Sequence, residues 1–301
     1  MKSRKKFSLE DKIKLSNQVI IDWYKGNYGR VFVAFSGSYQ SSVLLDLVRK
    51  LYPDVPAVFV HSEIDYPEKY TLASHLKNMT ILPTKMKYQE IIMEKGFQVV
   101  SREISSCVSS YRNTGSPIAF RTLQGKLKNN QDNIMVRNDW THLIDAPFKI
   151  SKYCCNAMKF APLRAYASQN NLAMYRANMV SNTAKISNNF EAKRLCNKYS
   201  NFMANTRSFP LMFWKTMDVL RYIYQNKIPY SKHFGEIYYD GHQYTTERKR
   251  MKGCMLCLCG LDKDDREHKF LNIKENYPEY YKRAFEYHRY GVVCDYLGYK
   301  Y

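Results

Sequence analysis

The chain is short of long apolar runs. No stretch approaches the roughly 18–20 apolar residues that cross a bilayer, so neither a spanning helix nor a membrane partner is expected. The opening MKSRKKFSLEDK is basic but lacks the apolar segment of a secretory signal, and the expectation is a soluble, cytoplasmic protein. Acidic residues are scarce as well. With 47 Lys+Arg against 27 Asp+Glu, the formal charge is +20. That balance points to a polyanionic partner, a nucleotide or nucleic acid, with a solvated basic surface as the equally weighted plainer reading. No internal repeat and no long linker interrupts the chain, and no GxxxxGK[ST] loop is present, which excludes a Walker-type phosphate site.

What is present is an alternation of strands and helices. Residues 9–25 have helical apolar spacing behind Ser8 as N-cap. Strand 31–35, helix 41–51, strand 56–62, a helix opening at Pro67, a strand near 79–82 and a helix near 87–95 follow. This βαβα order predicts an α/β fold, a parallel sheet with helices on both faces. Residues 101–150 mix helix and loop. Ser151 caps a helix through CCNAMK, Pro162 starts another, 174–180 reads as a further strand, and 265–276 and 278–290 read as helices. The expected division is an α/β domain over 1–225 with its N-terminal helix, then a helical C-terminal extension over 226–301 that carries the CxxC loop.

Two places carry chemistry. In VFVAFSGSYQS (31–41) a buried strand breaks into Ser36, Gly37, Ser38, Gln40 and Ser41 at a helix N-terminus. Backbone N–H groups and the helix dipole there attract an anion, and serine hydroxyls add donors. An ordinary strand–helix turn would look the same. The second place is the cysteines, eight in all. Cys154 and Cys155 are adjacent, and Cys254 and Cys257 form a CxxC flanked by Gly253 and Gly260, 99 residues beyond Cys155. Two thiolates three apart can face one ion, whereas adjacent cysteines diverge unless a turn or helix end aims them together. Metal and buried thiols both stand as readings, and Cys259 is taken as a buried thiol.

These segments resemble, in order, those of one superfamily. SGSYQSSVLLDL is similar to the SGGxDSxVLL loop of the PP-loop ATP pyrophosphatases and the related phosphoadenosine phosphosulfate (PAPS) reductases. VFVHSEIDYPE, KMKYQEIIMEKGFQVVSREIS, FKISKYCCNAMKFAPL, FPLMFWKTMDVLRYIYQNKIPY and RMKGCMLCLCG resemble further segments of the same proteins, in particular of PAPS-reductase-like proteins from bacteria and their phages. The resemblance implies an adenine nucleotide α-hydrolase-like, Rossmann-like fold in a bacterial or phage-infected cytoplasm. It implies an adenine nucleotide, ATP or PAPS, at Ser36, Gly37, Ser38, Gln40 and Ser41. It also implies a four-iron four-sulfur cluster on Cys154, Cys155, Cys254 and Cys257, with Lys159 as the basic residue near cluster and nucleotide. Cys196, in RLCN, is an alternative ligand, and zinc is an alternative metal for an all-thiolate set.

The departures from that pattern fall on carboxylates. Gln40 stands at the loop's acid and Ser38 at its second glycine. His61 and Glu63 replace the acid and glycine of the second strand's DTG, and Ala184, Lys185, Ile186 and Ser187 stand where AEES is expected. Losing carboxylates removes magnesium ligands while adding positive charge. No C-terminal ECGLH segment is present, and Cys294 sits among apolar neighbours. Two functions therefore stand. One is an enzyme of sulfonucleotide reduction or sulfur transfer, with nucleic acid as one conceivable acceptor. The other is a degenerate descendant that binds a nucleotide or nucleic acid without turnover. A homo-oligomer is compatible with either.

Overall fold

The computed structural model describes residues 7–128, 134–136, 138–179, 195–248, 253–260 and 263–301. Two compact units emerge, each assembled from two stretches: Met1–Thr84 with Phe160–Lys249, and Lys85–Lys159 with Arg250–Tyr301. This division is discontinuous, unlike the single boundary expected at 225/226. Among the described residues no helix is long and apolar enough to cross a membrane.

The first unit is built on a six-stranded sheet. Strands β1 (Val31–Phe35), β2 (Ala57–His61) and β3 (Met79–Pro83) lie side by side in parallel, and Ala173–Arg176 pairs parallel with the other edge of β1. Arg207–Ser208 continues the parallel set, and Asn197–Lys198 closes it antiparallel. The α/β reading of the sequence is therefore correct. Strand alternation places Phe32, Val58, Val60 and Met174 on one face, where Leu163 and Ala167 of helix Ala161–Asn170 cover them. Helix α2 (Tyr39–Leu51) packs against β1 and also meets α1 (Leu9–Gly26) and helix Thr216–Asn226. The connection through α2 runs from β1 to β2, and the one through Ala161–Asn170 enters the strand on the other side of β1. Right-handed crossovers in opposite directions put the two helices on opposite faces. β1 is consequently the point where strand order reverses.

Helix α1 starts at a complete capping box, with Ser8 and Asp11 each accepting the other's backbone N–H. It is tied into the unit by polar contacts in an apolar setting. Ser16 donates to the Pro210 carbonyl at 2.8 Å and accepts from the Trp214 indole at 2.9 Å, and Lys12 pairs with Asp218. Ser16 is fully buried.

The second unit gathers short elements. Helices Tyr88–Glu94, Arg102–Thr114 and Tyr290–Leu297 accompany a two-residue parallel ladder between Val99–Val100 and Leu258–Cys259. The helix expected over 278–290 ends sooner: Pro278–Lys282 passes into a π-turn at Arg283–Tyr287, and Arg289 at φ 55° breaks the chain before the next helix.

Replacing Ser16 by alanine strands the buried Trp214 N–H and the Pro210 carbonyl together, a cost of about 1–3 kcal/mol. Urea unfolding of Ser16→Ala should show a lower midpoint and an unfolding free energy reduced by that amount, with Ser16→Thr retaining more of it. Equal stability would mean that these bonds do not hold α1 in place.

Candidate functional site

Two sites are built, one in each unit. In the first, the chain leaves the C-terminal end of β1 through Ser36 and Gly37 and enters α2 at Ser38. Parallel sheets bind ligands outside the carboxyl end of the strand where order reverses, and β1 is that strand. Gly37 has φ 70°, and a Cβ there would lie 2.7 Å from the Lys69 Cβ, so both backbone and space require glycine. Ser38 is the N-cap and accepts from the Ser41 N–H at 3.3 Å, while the Ser41 hydroxyl returns a bond to the Ser38 carbonyl at 2.8 Å. Ser36 donates to Ser38 Oγ at 3.0 Å, so three hydroxyls cluster at the mouth of α2. The first turn of α2 carries no acidic residue. The positive end of its dipole therefore has no side-chain carboxylate to balance it locally. Gln40 is half-buried in the same turn, whereas Tyr39 turns into the core, its hydroxyl 3.3 Å from Thr246 Oγ1.

Behind this loop lies a polar group that sequence reasoning did not single out. Lys69 and Asp65 form a buried ion pair at 3.4 Å, and Ser62 donates to the same carboxylate at 2.9 Å. The signal was an Asp and a Lys four residues apart across the helix start at Pro67. His61 and Glu63, where the pattern has an acid and a glycine, are exposed at the end of β2. Ala184, Lys185, Ile186 and Ser187 lie outside the described residues.

The second site is a nest of thiols, entirely within the second unit. Cys154 and Cys155 occupy a short helix, Tyr153–Cys155, that continues as a π-turn over Asn156–Phe160. Such π-turns are frequent at functional positions. Cys254 and Cys257 form a turn closed by the Cys257 N–H on the Cys254 carbonyl at 3.2 Å. Gln98 joins the two stretches. Its amide nitrogen lies 3.2 Å from Cys155 Sγ and 3.3 Å from Cys259 Sγ, and its side-chain oxygen accepts from the Cys155 N–H at 3.4 Å. Cys259 belongs to this nest as well: its thiol reaches the Gln98 carbonyl at 3.3 Å, and its N–H donates to Cys257 Sγ at 3.4 Å.

The electrostatics follow from crowding. Burial raises Cys154 well above an ordinary thiol, and the sulfurs of Cys155, Cys254 and Cys257 add repulsion. Burial also raises Cys155, with Cys257 adding to it, while Gln98, Lys159 and Arg102 oppose. Cys257 is held low, first by the hydrogen bond from the Cys259 thiol and then by the charge of Lys269. Cys259 is raised as the donor in that bond. Lys269 is fully buried and donates to the carbonyls of Cys254 and Cys257 at 3.2 and 2.7 Å. Tyr88 and Tyr290, buried and hydrogen-bonded to each other, lie within electrostatic reach of the thiols.

The structure thus brings Cys154, Cys155, Cys254 and Cys257 together with Lys159 close enough to act on them. It does not add Cys196, which is fully buried in the first unit with its thiol pushed up to about 12 by burial. Gln98, Cys259 and Lys269 were missed as site residues. Among the described residues no three His, Cys, Asp or Glu groups close tightly enough to hold a single metal ion. The thiols nevertheless influence one another electrostatically across the nest.

The sequence model for the phosphoadenosine phosphosulfate reductase domain matches residues 30–101 and 91–240, well over half of the chain. An uncharacterized protein of Methanocaldococcus jannaschii is 26% identical over 151 residues, which cover 49% of this chain but only 32% of that protein's length. The crystal structure of phosphoadenylyl-sulfate (PAPS) reductase from Candida auris, a phosphate complex, aligns with a TM-score of 0.42 at 13% identity. The alignment covers 80% of this chain and 100% of that one. By the extent of the domain match, the chain belongs to the phosphoadenosine phosphosulfate reductase domain family.

Proposed function

We propose that the protein binds an adenine nucleotide, ATP or PAPS, at Ser36–Ser41 and carries a four-iron four-sulfur cluster on Cys154, Cys155, Cys254 and Cys257. Its chemistry is then sulfonucleotide reduction or sulfur transfer. One observation carries the reading: thiols from two remote stretches, each half-buried, meet in one nest beside Lys159 and Lys269. Such a set cannot ionise together without a cation between its members, because each buried thiolate raises the next. A bound cluster would supply that positive charge and reducible iron. Gln98 orients Cys155 and Cys259, Lys269 fixes the Cys254–Cys257 turn through two carbonyls, and the buried tyrosine pair lies within electrostatic reach of the nest. At the other site, the loop glycine and the serine hydroxyls would receive phosphate. With Gln40 and His61 at acidic positions of the pattern, magnesium has few ligands to find there.

A second reading, a nucleotide- or nucleic-acid-binding protein without turnover, is favoured by Cys294. This thiol is fully buried in helix Tyr290–Leu297 and pushed up to about 12 by burial, so it makes a poor nucleophile. Nucleic acid suits the +20 charge in both readings, as sulfur acceptor in the first and as ligand in the second.

Protein purified without oxygen should be brown and hold about four irons and four sulfides per chain, with Cys257→Ser losing most of both. Stoichiometric zinc without iron would reject the cluster and leave the thiol nest standing.

Nucleotide binding should depend weakly on magnesium and strongly on salt. Gly37→Asp is a poor probe, because any side chain there meets Lys69. Gln40→Glu places a charge in the first turn of α2 without touching the backbone. It should weaken ATP or PAPS about five- to tenfold by calorimetry, on the order of 1 kcal/mol of repulsion. Unchanged affinity would remove the nucleotide from this loop.

A further inference from the structure

A groove of about 850 Å³ in the second unit is used by neither site. Its walls come from helix Arg102–Thr114, residues 149–153 and the end of helix Tyr88–Glu94. They present Lys95, Arg102, Arg112, Lys149 and Lys152 against one carboxylate, Glu94. Two of these cations build the groove. The Arg112 guanidinium donates to the carbonyls of Leu143, Ile144, Ala146 and Phe148 at 2.8–2.9 Å, fixing the loop beneath it. Lys149 reaches the carbonyls of Met93 and Glu94 at the end of their helix. Lys95, Arg102 and Lys152 are exposed on that scaffold.

The rest of the lining narrows the ligand. Ser106, Ser109 and Ser110 share one face of their helix by spacing, and Lys152 donates to Ser106 Oγ at 3.0 Å. Hydroxyls beside ammonium groups are donors for phosphate oxygens. Tyr153 adds an aromatic ring, approached by the Lys95 ammonium at 5.8 Å. The cations are distributed along three wall segments rather than gathered on one point, as serial phosphates require and a single phosphate does not. A basic track with an aromatic face is how proteins hold a single strand. Tyr153 and Asn156, which flank Cys154 and Cys155, both line the groove, so the track ends beside the thiol nest.

We infer that this groove binds the phosphodiester backbone of a single-stranded nucleic acid and leads the strand to the cysteines. The inference gives a site to the nucleic-acid partner proposed above and rests on that part of the reading. It depends on neither the nucleotide loop nor the identity of the metal.

The test uses full-length protein purified anaerobically and fluorescently labelled 15-nucleotide single strands of DNA and of RNA. Anisotropy should show binding that weakens with salt, with a log–log slope of about −2 for three phosphate contacts. Lys95→Glu/Lys152→Glu should lose at least tenfold in affinity. Iron content and calorimetric ATP affinity should stay as in the parent, which separates this site from both others. Lys14→Glu/Lys25→Glu, the same charge change on exposed positions of α1, should lose no more than about threefold, the screened long-range part. No binding by the parent protein in low salt would reject the nucleic-acid partner itself. Equal losses in the two double variants would keep that partner and reject this groove. A loss of ATP affinity in the Lys95/Lys152 variant, with strands displaced by excess ATP, would make the groove a nucleotide site and overturn the inference.

Discussion

The chemistry of the second unit hangs on a short ladder. Val99 and Val100 pair in parallel with Leu258 and Cys259, and the Gly260 N–H donates to the Val100 carbonyl at 2.8 Å. The ladder bends sharply at Val100. Its φ is 59°, and the Ser101 N–H closes on the Val99 carbonyl at 2.7 Å across it, a γ-turn of the strained kind. A β-branched residue in that conformation costs on the order of 1–3 kcal/mol and persists only where its surroundings impose it. Here they do. The Ser105 hydroxyl bonds both the N–H and the carbonyl of Val99, and Ser101 caps the following helix. The bend sets Gln98, just before the ladder, between Cys155 and Cys259.

Once the stretches meet, electrostatics dictates what the nest can hold. Buried thiols repel as thiolates and stay protonated unless a cation joins them. Lys159 and Lys269 tilt that balance, and Cys257 already accepts the Cys259 hydrogen bond as the group most readily ionised. The first unit solves a related problem by other means. It leaves the α2 N-terminus without nearby acid, and confines the Asp65–Lys69 pair to the buried side of the loop. The α2 N-terminus thereby favours negative charge arriving from outside the chain, whereas the nest calls for a cation.

The sheet was legible because its signals are local. VFVAF and AVFVH are continuous apolar runs, Ser8 and Pro67 mark helix starts, and each became the element expected. The motif cysteines were legible through spacing and resemblance, and the structure gathers them. What stayed hidden depends on tertiary contact. Gln98 and Lys269 have no motif of their own, and their roles exist only after residues 85–159 and 250–301 come together. Cys259 read as a buried thiol because the resembled proteins more often carry an apolar residue there, while its contacts with Gln98 and Cys257 exist only in the folded turn. The same discontinuity separates the units from the expected single boundary, since a linear reading looks for one cut and the contacts make three.

The central claim is that the nest of Cys154, Cys155, Cys254 and Cys257 holds a polynuclear iron–sulfur group. Iron-edge X-ray absorption on anaerobically purified protein tests it most directly. The expected spectrum has an all-sulfur first shell followed by an iron–iron shell at short distance. A first shell of oxygen or nitrogen, with no iron–iron scattering, would contradict the account.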